Sequence, residues 1–451
     1  MRFLLAFLLG TGVLWASQAR AQTTPQPDAW GITEPSIANT LPAKGDPWGW
    51  RKTLNDYGVS YNLIYTSDLL ANLAGGIQTG GVFQGKIEAQ INADLEKLIG
   101  LKDLSFYANI FQIHNTGRIR RDYVGGLNTI AAIEAGATTR LSELWLEQRF
   151  FDGKASFRFG QLAADSEFFF SSLSTMFLQS DWPSITAYNL PGSGPAYPLS
   201  TPGLRLKVDP NEHVSLLVAL FNGNPAGPCP GDPDTCNRYG LNFRVSDPAF
   251  IIGESQFRWN QGADDKGLAT TLKLGGWLHL GQFDDQRFAQ NGLLLADPAS
   301  GGVPRQHRGD YGIYGIIDQQ LYRPAGGAAD SGISVFTRAS VSPSDRNLIS
   351  FEIDGGMVFA GLIPGRPDDR FGASVNYTHL SSAVTGFDQD TINFTGVPGP
   401  VHNFEANIEL TYVAQIKPGW TLQPDFQYIW NPGGFPGRNA RVVGVRSILK
   451  F

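Results

Sequence analysis

The sequence predicts an all-β protein, a transmembrane antiparallel β-barrel, and three observations predict it. The N-terminal stretch MRFLLAFLLGTGVLWASQARAQ joins a charged start at Arg2 to an apolar run from Phe3 to Trp15 and the small-residue site Ala19-Arg20-Ala21. That combination describes a secretory signal over residues 1–21, with an apolar run too short to be kept as a spanning helix. Downstream, no uninterrupted apolar stretch is long enough to cross a bilayer as a helix. A chain of this kind can sit in a membrane only as a closed barrel, because every backbone polar group must be paired inside hydrocarbon. The third observation is period-two alternation of apolar and polar residues, which runs from about residue 59 to the C-terminus.

Composition agrees. The 53 Gly, 29 Phe, 10 Trp and 14 Tyr residues suit many strands, tight turns and rings of aromatic side chains at the two membrane interfaces. The net charge of −6, with Lys and Arg dispersed, argues against nucleic acid as a partner.

Residues 22–58 form a periplasmic leader that is Pro/Thr/Ala-rich up to about 46. It contains WGWRKTLNDYG (48–58), whose spacing and terminal Gly predict a short helix capping one mouth. Residues 59–451 are then the barrel. In FQGKIEAQINADL, Phe83, Ile87, Ala89, Ile91 and Leu95 share one face and Gln84, Lys86, Glu88, Gln90, Asn92 and Asp94 the other. FEANIELTYVAQI sets Phe404, Ile408, Leu410, Tyr412 and Ile416 against Glu405, Asn407, Glu409, Thr411 and Gln415. WTLQPDFQYIW carries Trp420 and Trp430 ten residues apart on its apolar face. At about 3.3 Å per residue and a tilt of roughly 40°, that separation spans about 25 Å of membrane height. The opposite faces mix Gln, Asn and Thr with charges of both signs, as a water-filled lumen requires. YGLNFRV (239–245) alternates in the same way, and so does the closing run RVVGVRSILKF, which ends on Phe451.

Strand starts fall near residues 59, 82, 103, 140, 154, 202, 213, 238, 250, 268, 309, 332, 348, 370, 402, 419 and 440, seventeen in all. Bacterial single-chain barrels use even numbers, so one strand is split or missed, and sixteen or eighteen both fit. The longest gap, 162–201, is a loop that would narrow the pore if folded into the lumen. Cys229 and Cys236 lie in a Pro/Gly/Asp-rich stretch, where an exported protein would carry a disulfide rather than a metal site.

A series of motifs runs in order along nearly the whole mature length: WGWRKTLNDYGV, NLAGG near residue 72, LSELWLEQRFFDGKASFRFGQLAADSEF, YPLSTPGLRLKVDPNEHVSLLVALFNGNPAG, SPSDRN (342–347), GLIPGRPDDRFG and LQPDFQYIWNPGGFPGRNA before the final Phe. Together they resemble the carbohydrate-selective porins (OprB family). The resemblance implies a sixteen-stranded bacterial outer-membrane porin, without a cofactor, that passes mono- and small oligosaccharides through a charged constriction. The terminal Phe451 is similar to the mark read by the barrel-insertion machinery. The apolar outer faces are compatible with outer-membrane lipid or with a homotrimer. The cysteine pair is not part of the resemblance.

A passage that prefers neutral, hydroxyl-rich solutes needs paired donors and acceptors at its narrowest point, and Arg–carboxylate pairs supply both. Polar-face parity nominates Glu88, Arg158, Arg205, Arg244, Glu405, Glu409, Asp425 and Arg446. Position in the long loop nominates Asp165, Glu167, Asp181 and Trp182, the last as a flat face for a sugar ring. For each charged residue the alternative is a solvated wall or a structural ion pair. Catalytic patterns are missing: there is no G-x-S-x-G, no H-E-x-x-H and no phosphate loop, and the six histidines are scattered. A general or ion-selective porin is the first rival and a barrel enzyme the second.

Overall fold

The computed structural model describes residues 28–33, 35–179 and 190–451. The signal segment and the first residues of the leader therefore lie outside the described residues, as do Asp181 and Trp182. Sixteen antiparallel strands close on themselves. They are β1 (Val59–Gly75), β2 (Gly80–Asp94), β3 (Leu104–Asn115), β4 (Thr138–Phe150), β5 (Ala155–Leu162), β6 (Thr201–Asn211), β7 (Val214–Asn222), β8 (Ala249–Trp259), β9 (Thr270–Ala289), β10 (Pro304–Tyr322), β11 (Gly332–Val341), β12 (Ile349–Ala360), β13 (Arg370–Leu380), β14 (Phe404–Lys417), β15 (Trp420–Trp430) and β16 (Ala440–Lys450). Each pairs with its neighbours in sequence, and β16 returns to β1, with Asp68 opposite Arg446 and Ser67 opposite Ser447. Connections are short at one end, as between β14 and β15, and long at the other. Short turns at one end and longer loops at the other are the pattern of membrane-spanning β-barrels.

The alternation is expressed inside out relative to a soluble protein. On β14 the polar set Glu405, Asn407, Glu409 and Thr411 is buried, whereas Leu410 is 40% exposed. Aromatic side chains line both ends of the outer face. Phe359 stacks near Phe371 beside one turn, while Tyr377 and Phe404, and Tyr428 and Trp430, pair toward the opposite end. The rows of Phe, Tyr and Trp thus look outward, and no second sheet covers them among the described residues. The helix expected in the leader is α1 (Trp50–Asp56). Its buried Arg51 lies over the rings of Tyr61 and Phe451, and Phe451 exchanges two backbone hydrogen bonds with Leu63.

Of the seventeen expected strands, the one near residue 238 is not a strand. β5 ends early, at Leu162, because the chain there turns into the lumen. Its last pairings leave the outer end of β4, residues 138–143, without a strand on that side among the described residues. Residues 238–240 cover the gap by single contacts: Leu141 N–H donates to Tyr239 O (3.0 Å), Thr138 Oγ1 to Arg238 O (3.0 Å) and Gln161 Nε2 to Gly240 O (2.8 Å). Gly240 adopts φ 67°, which bends the chain out of strand geometry. Asn237 then closes a local turn by bonding both the N–H and the C=O of Asn242. Tyr239, Leu241, Phe243 and Val245 are all exposed. The alternation in YGLNFRV therefore marks an outward patch of wall that has no ladder behind it.

Candidate functional site

The lumen is the candidate site, and two loops reshape it. L2 (116–137) joins β3 to β4, and L3 (163–200) joins β5 to β6. Wall strands spend their backbone N–H and C=O groups on the ladder, so a loop buried against the wall must bond to side chains. The inward carboxylates meet that need. Glu254 accepts from Phe169 N–H (2.9 Å), and Asp318 accepts from the Ser171 hydroxyl (2.5 Å) and Ser172 N–H (3.1 Å). Lys273 donates to Phe170 O, and Gln423 to Met176 O. Glu409 accepts from the N–H groups of Leu178 (2.7 Å) and Gln179 (3.0 Å). Glu405 accepts from Leu127 (2.7 Å), Asn128 (2.8 Å) and Gly433 (2.7 Å). The described part of L3 thus runs along the inner wall from β5 to β15. L2 reaches the same wall, and the two loops touch where Ala132 N–H donates to Leu178 O (2.8 Å). Apolar packing of Ile119, Val124, Ile130 and Leu178 on Leu70, Val82, Ile429 and Val442 completes the seal on that side.

The wall from β2 to β6 carries a different set. Arg158 on β5 bonds Glu147 on β4 through Nε (3.1 Å) and Nη2 (2.9 Å), and its Nη1 lies 3.4 Å from Glu167 of L3. Arg205 on β6 joins the same two carboxylates at 2.5 and 2.8 Å and donates to Ser156 Oγ. The Arg158 guanidinium lies 3.7 Å from the centre of the Trp145 ring, which stacks on Tyr107 at 4.8 Å. Gly160 makes this possible: with φ 140°, a Cβ there would meet Leu144 O at 2.2 Å and Trp145 Cα at 2.7 Å. Next to this group, Lys86 pairs with Glu88 (3.1 Å) and lies over the rings of Phe111 and Tyr197, at 4.6 and 5.1 Å. Glu88 also accepts from Gln90 and Asn109. Lys86, Glu88 and Arg158 keep about 15% of their side-chain surface open, whereas Arg205 keeps 2%. Asp165 sits at the start of L3, where its carboxylate accepts from Tyr197 N–H (2.8 Å).

The nominated residues therefore separate into groups. Glu88, Arg158, Arg205, Asp165 and Glu167 gather around the β2–β6 wall. Glu405 and Glu409 lie fully buried beneath L2 and L3. Asp425 is buried beside them and accepts from Gln427. Arg446 makes a bidentate pair with Asp68 (2.7 and 2.8 Å) across the seam that closes the barrel. Arg244 is a correction: it lies in the β7–β8 loop rather than on a lumen-facing strand, and it pairs with Asp247 through Nε (2.9 Å) and Nη2 (2.7 Å). In that loop Cys229 and Cys236 are joined, with Cα atoms 5.8 Å apart. The intervening Asp232 and Asp234 hold Arg118 of L2 at 2.8 and 3.3 Å.

Sequence reasoning missed Tyr107, Trp145, Glu147, Lys86 and Tyr197 as a group. The signal existed, since Trp145 shares strand parity with Glu147. The expectation that aromatic residues face outward hid it, as did the bulge on β3–β4 between Asn109 and Ile110. Among the described residues no group of three or more His, Cys, Asp or Glu side chains has the geometry to hold a metal.

A closed sixteen-strand barrel, apolar outside and lined inside by loop-narrowed, charge-paired polar groups, defines an outer-membrane porin. A family model described as "Carbohydrate-selective porin, OprB family" matches residues 79–451, and the chain belongs to that family. It is similar to "Porin B" of Pseudomonas aeruginosa, 25% identical with 90% of both chains covered. It is also similar to "Putative porin QuiX" of Acinetobacter baylyi, 22% identical over 90% of this chain and 92% of that one. Among solved structures, "High pH structure of Pseudomonas putida OprB" superposes with a TM-score of 0.80 at 24% identity, covering 90% of this chain and 98% of that chain. That likeness supports the barrel fold.

Proposed function

We propose that mono- and small oligosaccharides diffuse along the β2–β6 wall, between the Lys86–Glu88 pair and the Arg158–Glu147–Glu167 group, without covalent chemistry. The observation that carries this reading is the Arg158 guanidinium held over the Trp145 ring by Glu147 while part of it stays open. It offers a sugar fixed donors at a partly open wall position, and the paired carboxylate cancels its charge. Weak binding is what conduction requires, since a tightly held solute would not leave. Asp181 and Trp182 belong to the same proposal through their place in L3.

The reading includes export with removal of residues 1–21, a periplasmic leader over 22–58, insertion marked by Phe451, and assembly as a homotrimer. Mass spectrometry of the mature chain tests the cleavage, and cross-linking in outer-membrane vesicles tests the trimer. The transport reading is tested in planar bilayers by current block with glucose and maltose. R158A removes the charged donors that the guanidinium offers a sugar, about 1–2 kcal/mol, and weakens block by roughly tenfold. Absence of block in the wild type, with liposome swelling rates that only follow solute size, refutes the sugar preference and favours a general porin.

A further inference from the structure

Glu405 and Glu409 stand four residues apart on the inward face of β14 and are fully buried. A carboxylate aimed into a water-filled channel would be wetted, and these are not. Their oxygens accept from five backbone N–H groups, belonging to Leu127, Asn128, Leu178, Gln179 and Gly433. Side chains that point away from the loops would leave those N–H groups buried without partners, because the backbone of β14 is occupied in its ladders with β13 and β15.

The two anchored segments are also joined to each other. Leu178 gives its N–H to Glu409 and receives the N–H of Ala132 on its carbonyl. Asn128, next to Glu405, is further fixed by Asn376 (2.9 Å) and Thr378 (2.8 Å) of β13, and Gln427 donates to Ile130 O (2.8 Å). L2 leaves from β3 and L3 from β5, and both reach β14 on the inner wall. They form one bridge, whose backbone N–H groups at the far end are taken by Glu405 and Glu409 while Asn376, Thr378 and Gln427 add side-chain bonds to L2.

We propose that Glu405 and Glu409 are positioning residues of the constriction. They hold L2 and L3 as a single bridge, so that groups which never meet the solute set the width of the passage and its sugar preference. The inference rests on the reading that the lumen is the solute path. It goes beyond that reading by assigning the control of aperture to β14 rather than to the open wall.

The test uses full-length protein in planar bilayers with E409A, E405A, E409Q and E405Q. Heat-modifiable gel mobility shows that each barrel is folded. Each alanine variant removes both acceptor oxygens at its position, so single-channel conductance and open-channel noise rise, and the glucose block constant weakens by roughly tenfold. The glutamine variants keep one acceptor oxygen and turn an amide N–H₂ toward a backbone donor, so their conductance and block fall between wild type and alanine. That ordering separates anchoring from a general loss of stability, which would lower the folded yield without widening the surviving channels. Wild-type conductance, noise and block in both alanine variants overturn the proposal. Should the alanine variants fail to fold, wild-type behaviour in both glutamine variants overturns it equally. Absence of sugar block in the wild type would defeat the transport reading, and the conductance measurements would still decide the bridge.

Discussion

Replacing Arg446 tests how the barrel is closed. Arg446 and Asp68 face each other directly across the β16–β1 seam, joined by two charge-assisted hydrogen bonds of 2.7 and 2.8 Å, and they are 6% and 0% exposed. R446A leaves the Asp68 carboxylate buried without its cation, and breaking a buried pair from one side costs about 3–5 kcal/mol. Removing both partners leaves no orphan charge, so the double variant D68A/R446A recovers much of that loss. The cycle of two single variants and one double variant therefore gives a coupling energy of about 2–3 kcal/mol, larger than that of an exposed pair. Urea unfolding in detergent micelles, followed by tryptophan fluorescence and by heat-modifiable mobility, measures it. An R446A variant within about 0.5 kcal/mol of wild type refutes the reasoning. So does a double variant that loses the sum of the two single losses.

Two other outcomes follow from the β7–β8 loop. Opening the Cys229–Cys236 bridge, which closes a ring with a sequence separation of 7, costs that loop about 2.5 kcal/mol in chain entropy; C229S/C236S is therefore cut by trypsin at Arg238 at least about tenfold faster while the barrel stays intact, and an unchanged cleavage rate argues against the staple. Asp247 is held below the usual carboxylate range, chiefly by the hydrogen bond from Arg244. A depressed carboxylate contributes stability above its unfolded value near 3.9 and loses it as pH falls through the folded value. The loop end stays docked from pH 8 down to about 5 and loosens only in stronger acid. Hydrogen–deuterium exchange of residues 238–247, corrected for its intrinsic pH dependence, reads this; D247N abolishes the step, and loosening between pH 7 and 5 contradicts it.

The barrel was legible because a strand facing lipid on one side and water on the other writes its geometry into every second residue. FEANIELTYVAQI and WTLQPDFQYIW needed nothing more. YGLNFRV carries the same pattern without the ladder, since lipid exposure selects alternation whether or not a neighbour supplies hydrogen bonds. That single stretch accounts for the odd strand count. Parity also told which residues face inward, and it could not tell what meets them there. Glu405 and Glu88 both lie on polar faces. One is sealed by backbone N–H groups from residues 127, 128 and 433, whereas the other stays partly open beside Lys86. The ingress of L2 had a weak cue in the apolar run Ile130, Ala131, Ala132 and Ile133, which is out of place in a loop exposed to water.

The charge pattern inside the barrel bears on why a chain with a net charge of −6 can suit a neutral solute. Lys86 is matched by Glu88, Arg158 and Arg205 by Glu147 and Glu167, Arg338 by Asp354 and Arg446 by Asp68. Paired charges a few ångströms apart produce local dipoles whose field falls off within a solute diameter. A lumen lined by one sign would instead extend its potential along the whole path and sort ions. A hydroxyl-rich molecule exchanges its water for these fixed donors and acceptors at little loss, whereas an ion gains no net attraction to offset its dehydration. On the proposed reading the pairing adds to the discrimination that the aperture sets, and breaking one pair on the open wall turns the channel toward ions before it closes it to sugars.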